Sequence, residues 1–252
     1  MSQLRTYFYF AVAQAIFIVT PSIAQDSATQ PKFRPMSKAI IPLNSPQGRQ
    51  LLREADASEA YWQLSQFYVT QPDLGSCGVA SCLMVLNALP ITRPNFDEDG
   101  TFKFYTPDNF FKQPGVTDIK SRLKISQSGM TLEQLSGILG KFDTNSEHTF
   151  ASKTTIDSFR STLLSSLNKE NKFIIINYNR QLVGQEGKGH ISPVVAYNRS
   201  SDKVLILDTA SYRYPFVWID LTAIWKAMSE GIDSDSNMSR GYVVVSAKHF
   251  KE

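Results

Sequence analysis

The chain has 252 residues, 42% of them hydrophobic and 19% charged, enough apolar material for one packed domain and the wrong composition for a disordered or collagen-like chain. Lys and Arg total 26 against 23 Asp and Glu, a net charge of +3 without blocks of either sign, so no basic face is offered to a nucleic acid. Two cysteines, Cys77 and Cys82, are too few for a disulfide framework or a thiolate-rich metal site.

Residues 1–24 carry one early cation, Arg5, an uncharged run over 7–19, and small side chains at Ser22 and Ala24. That is the layout of a secretory signal peptide cleaved after Ala24, and the run is short of the about 20 residues that span a bilayer. No cysteine follows the cleavage site to take a lipid. The mature protein is therefore expected to be exported, periplasmic or secreted, without a stable membrane anchor. Residues 25–44, rich in Gln, Ser, Thr and Pro, read as a flexible leader, and the catalytic domain is placed at 45–252.

Ser45 and Pro46 read as an N-cap and first-turn proline of a helix with Leu51, Leu52 and Ala55 on one side, and a second helical pattern covers 58–67. Residues 77–89 form a broadly apolar helix that Pro90 stops, central and buried. Residues 91–128, punctuated by Pro and Gly, read as a loop-rich excursion. Thr131 and Gln134 make a capping box for a helix running to about Gly140, and another helix follows Thr155 with Phe159, Leu163 and Leu167 in line. The period then changes: 173–178, 191–197, 204–208 and 242–245 are β-branched and aromatic runs that read as antiparallel strands. The fold class is α+β, a helical part packed on an antiparallel sheet.

Three features carry possible chemistry. Cys77 opens the central helix, where the positive end of the helix dipole favours a thiolate; a small core residue is the other reading, and Cys82 in the same helix is its internal control. His190 begins one strand and Asp208 ends the next. A three-residue turn between these strands sets 190 and 208 on one face, whereas a four-residue turn changes the parity and separates them. Asp208 alone could equally serve a turn. His148 lies in a polar loop and His249 near the end of the sequence, neither with a suggestive neighbour. Together, Cys77, His190 and Asp208 have the order of a papain-like thiol acyltransferase, with Gln71 and the Cys77 N–H as oxyanion donors. Cys77 and Cys82 point about 140° apart on a helix and are not expected to pair.

The stretches from Ser65 to Gln71, Cys77 to Ser81, Met84 to Leu89, Gly189 to Pro193, Leu205 to Ala210 and Tyr214 to Trp218 resemble the catalytic domain of the phytochelatin synthases, with the similarity extending over about 45–247. The resemblance implies a papain-like cysteine peptidase fold, with Cys77 as nucleophile, His190 as base and acid, Asp208 as its orienter and Gln71 in the oxyanion hole. It also implies that Asn177, Arg180, Asp233 and Arg240 hold the γ-glutamyl end of glutathione, whose amine calls for an acid and whose carboxylate calls for a guanidinium. Eukaryotic members continue into a cysteine-rich half, and this sequence ends at Glu252; similarity to the short prokaryotic members implies mainly hydrolysis of glutathione to γ-glutamylcysteine and glycine, with minor phytochelatin synthesis. No cofactor is expected, and cadmium or zinc would enter only as a thiolate complex of the substrate. A homodimer is left open. Two rival readings are an exported papain-like peptidase acting on other peptides and a non-catalytic glutathione-binding module.

Overall fold

A computed structural model describes residues 33–248. The expected signal peptide, the first part of the leader and His249 lie outside the described residues. Among the described residues, a seven-stranded antiparallel sheet runs in the order β1-β6-β5-β4-β3-β7-β2, with β1 Ile41–Pro42, β2 Thr144–Phe150, β3 Lys172–Asn179, β4 Gly189–Asn198, β5 Lys203–Ile206, β6 Val217–Asp220 and β7 Gly241–Ala247. The helices are α1 Pro46–Arg53, α2 Glu59–Ser65, α3 Cys77–Ala88, α4 Pro107–Phe110, α5 Val116–Ile119, α6 Arg122–Ser128, α7 Leu132–Leu139, α8 Ile156–Leu167 and α9 Leu221–Ser229. The expected α+β class holds. No described helix is long and apolar enough to cross a membrane.

Local chemistry sets the helix starts. The Ser45 side chain accepts from Gly48 N with Pro46 at the first helical position, and Thr131 and Gln134 close the capping box of α7 reciprocally. Helix α3 is buried from Cys77 to Asn87, because its sequence is apolar on all sides. It packs with α2 on β4, while α8 and α9 pack on β3, where Phe159 lies 4.7 Å from the Tyr242 ring of β7. Gly78 permits the close approach of α3 to β4: a Cβ there would lie 2.2 Å from Met130 Cε and 3.3 Å from Ile191 Cδ1.

The structure corrects the leader over its described part. Residues 33–44 are held on the body: Met36 bridges to Gln185, Ile40 is buried, and β1 pairs Ile41 and Pro42 with Trp218 and Val217. A proline in this strand is tolerated because β1 is an edge. The excursion over 91–128 also contains three short helices, α4 to α6.

The β4–β5 hairpin decides the site. Its turn has four residues, with Asn198 paired to Lys203, and the Asn198 carboxamide fixes it by accepting from Ser201 N and from the hydroxyls of Ser200 and Ser201. Such a turn would by itself set His190 and Asp208 on opposite faces. A β-bulge at Val195 cancels the shift, because Ala196 pairs with Leu205 but Val194 pairs with Ile206. Beyond the bulge, Leu207 N donates to Pro193 O at 3.1 Å, and Ser192 comes opposite Asp208 with His190 diagonal to it. The expected pairing is reached by a different turn plus one extra residue.

Candidate active site

His190 is 4% exposed, and its Nε2 lies 3.0 Å from Asp208 Oδ1 and 2.8 Å from Ser192 Oγ. With the Nε2 proton directed at the carboxylate, Nδ1 is the ring nitrogen left to accept a proton. The Tyr178 ring, paired across β3 and β4, meets the imidazole edge to face at 5.7 Å. Asp208 is fully buried, and three donors converge on Oδ1: His190, Arg180 Nη2 at 2.7 Å and Ala210 N at 2.9 Å. Asp208 therefore fills both sequence readings at once, the turn acceptor and the partner of a histidine.

Cys77 occupies the first turn of α3 at 5% exposure. The loop before it is set by Asp73, whose carboxylate takes Gly75 N at 2.9 Å and Ser76 Oγ at 2.8 Å. Behind it, Ser81 Oγ bonds Cys77 O and Ile191 O, joining α3 to the strand residue that follows His190. The Ile191 amide favours the Cys77 anion, while the hydrogen bonds of the imidazole go to Asp208 and Ser192. The His190–Asp208 half of the expected triad is thus a direct contact, and the Cys77 half is a neighbourhood across one helix–strand junction.

Electrostatics reverses one expectation. Burial pushes the Cys77 thiol up, outweighing the Ile191 amide and the Arg180 charge that favour the anion, so the helix terminus does not deliver a resting thiolate. Burial, joined by the positive charge of Arg180, lowers His190 to about 4. Asp208 is pushed up by burial but more strongly down by His190 and Arg180, and ends well below the carboxylate range. The resting site is a neutral thiol, a neutral imidazole and a carboxylate. Cys82, fully buried in mid-helix, is likewise raised by burial; both cysteines are free thiols.

Gln71 lies in the loop before α3 at 3% exposure. Its Oε1 accepts from Thr209 Oγ1 at 2.9 Å and its Nε2 donates to Asp73 O at 2.7 Å, which orients the amide and leaves one of two Nε2 protons available. Three of the four residues implied for the γ-glutamyl end meet as a cluster: Arg240 Nη1 lies 2.5 Å from Asn177 Oδ1 and 2.9 Å from Asp233 Oδ2. Asn177 Nδ2 and Arg240 Nε are buried without a protein partner. Arg180 does not join them. It is 2% exposed, its Nη1 is on Gln185 Oε1, its Nη2 is on Asp208, and its guanidinium lies 4.9 Å from the Tyr214 ring centroid. Its guanidinium is committed to Asp208 and Gln185 in a buried ion pair.

The phytochelatin synthase family model matches residues 32–242, a span that holds every one of these side chains. The chain belongs to the phytochelatin synthase family. It is 31% identical over 213 residues to glutathione gamma-glutamylcysteinyltransferase 3 of Lotus japonicus, covering 83% of this chain and 43% of that protein. The glutathione gamma-glutamylcysteinyltransferase of Schizosaccharomyces pombe is 31% identical over 219 residues, covering 86% of this chain and 51% of its own length, and the Arabidopsis thaliana protein numbered 2 is 31% identical over 227 residues, covering 86% and 47%. The chain spans about half the length of the curated relatives it matches.

In this phytochelatin synthase domain, several supporting residues escaped the sequence reading. Ser192 shares a strand face with His190 by the period of two, a signal that was present. The partnership of Arg180 with Asp208 and that of Thr209 with Gln71 join residues far apart in sequence and left none. A cavity of about 590 Å³ between α1 and the loop after Asp208, lined by Leu43, Leu52, Tyr61 and Phe216 among others, contains none of the site residues. No described cluster of three or more His, Cys, Asp or Glu could hold a metal ion.

Proposed function

We propose that this protein is a thiol acyltransferase and hydrolase that cleaves the Cys–Gly bond of glutathione on a papain-like arrangement of α3 against β4. The observation that carries the reading is the His190–Asp208 contact of 3.0 Å on a strand tied to the first turn of α3 by Ser81 Oγ, which bonds Cys77 O at 2.9 Å and Ile191 O at 3.3 Å, in a chain whose relatives bear the transferase name. Cys77 Sγ attacks the cysteinyl carbonyl as its proton passes to His190, and Asp208 steadies the imidazolium. The oxyanion is received by the Cys77 N–H and the free Nε2 proton of Gln71. Collapse breaks the C–N bond, His190 returns the proton to the departing glycine, and a γ-glutamylcysteinyl thioester remains.

Water then releases γ-glutamylcysteine, as the main course. A second glutathione attacking through its amine gives a short phytochelatin, as the minor one. Asn177, Asp233 and Arg240 hold the γ-glutamyl end, with an acid for its amine and a guanidinium for its carboxylate. Heavy-metal ions act, where they do, as thiolate complexes of the substrate, and the enzyme works outside the cytosol.

Mass spectrometry of the protein mixed with glutathione, with and without cadmium, tests the reading. Free glycine and γ-glutamylcysteine are expected from the native chain, none from Cys77→Ala, and undiminished release from Cys82→Ala. Turnover that survives Cys77→Ala refutes the assignment. Cleavage of unrelated peptides, indifferent to Arg240→Ala, would make the protein a general peptidase; binding without glycine release would make it a binding module.

A further inference from the structure

Strand β4 begins at Gly189, an exposed residue next to His190. Gly189 pairs with Asn179 in the β3–β4 ladder and is not among the glycines with positive φ, so the backbone there does not require glycine. A side chain is excluded by Arg240 instead. A Cβ built on Gly189 would lie 2.5 Å from Arg240 Nη1, 2.6 Å from Nη2 and 2.7 Å from Cζ. The guanidinium occupies the space that any other residue would fill.

The same Nη1 is held by Asn177 and Asp233 at 2.5 and 2.9 Å. Restoring ordinary van der Waals separation of about 3.5 Å to a new methyl group would move the guanidinium by about 1 Å. That displacement is comparable to the tolerance of both hydrogen bonds. Because the atoms in the way are the tip of a long flexible side chain, the arginine yields and the strand does not.

We propose that the bare backbone at Gly189 is a specificity-determining feature: it seats the Arg240 guanidinium flat against the strand that carries His190, where it receives the α-carboxylate of a γ-glutamyl group. The inference rests on the glutathione reading above. Gly189 is a positioning residue that acts only through Arg240, and this separates it from a glycine needed for folding.

Steady-state glycine release by the native chain, Gly189→Ala, Arg240→Ala and the double variant tests this. Loss of one charge-assisted hydrogen bond raises the KM of Gly189→Ala roughly tenfold or more. Its kcat stays within about twofold and the double variant is no worse than Arg240→Ala, since the two substitutions remove one interaction. Arg240→Lys, with a compact head in place of the fork, should blunt the effect of Gly189→Ala. An unchanged KM for Gly189→Ala, or penalties that multiply in the double variant, overturns the proposal while leaving the enzyme reading intact. A native chain that neither binds glutathione nor releases glycine overturns both.

Discussion

Arg180 gives a quantitative test of how the site is held. Its guanidinium and the Asp208 carboxylate are 2.7 Å apart at 2% and 0% exposure, and Arg180→Met removes one partner while leaving Asp208 buried. Stranding one member of a buried ion pair costs about 3–5 kcal/mol. At roughly 2–4 °C per kcal/mol for a chain of this size, the melting temperature should fall by about 6–20 °C. The same substitution deletes a positive charge that holds His190 down, so the imidazole becomes easier to protonate and the acid limb of the glycine-release profile moves to higher pH. Arg180→Lys keeps the charge but loses the bonds to Gln185 and the stacking on Tyr214, and should show the stability loss with little movement of the limb. Calorimetry and a pH–rate profile of the two variants suffice. An unchanged melting temperature together with an unmoved acid limb for Arg180→Met refutes the reasoning.

His190 is lowered from 6.5 to about 4, so its stabilising contribution is complete above pH 6.5 and is lost as pH falls toward 4, where the unfolded chain takes up a proton that the folded one refuses. Urea midpoints should decline over that window, and His190→Gln should flatten the decline. Gln71→Leu removes the proposed oxyanion donor and should lower kcat by about 10²–10³, with thermal melting reporting the separate loss of the Thr209 contact. With its thiol raised by burial, Cys77 should react slowly with iodoacetamide near pH 7 and faster as pH rises toward 9; rapid alkylation at neutral pH would contradict the neutral resting pair.

Legibility in the sequence followed the strength of local signals. Helix α3, the capping box of α7 and the strands β3, β4 and β7 stand in long runs of one period, and Cys77 and His190 are marked by their places at the ends of such runs. Strand β2, Thr144–Phe150, is polar, lies on one edge and has a single buried residue, so hydrophobic alternation could not announce it. Helices α4 to α6 are too short for periodicity, and α9 follows a strand of only four residues. Within the site, the pairing of Arg180 with Asp208 was not legible, because burial and a partner 28 residues away are tertiary facts. The cost of burying a thiol likewise emerges only once the residues around Cys77 are in place.

The extra residue at Val195 has a consequence for how this hairpin can change length. Turn and strand each carry a one-residue offset, and the two cancel before His190 is reached. Indels in this loop should therefore come in compensating couples: a homologue with the tighter corner must also have straightened its strand, and one that altered either alone would keep the histidine and the aspartate yet lose their phase.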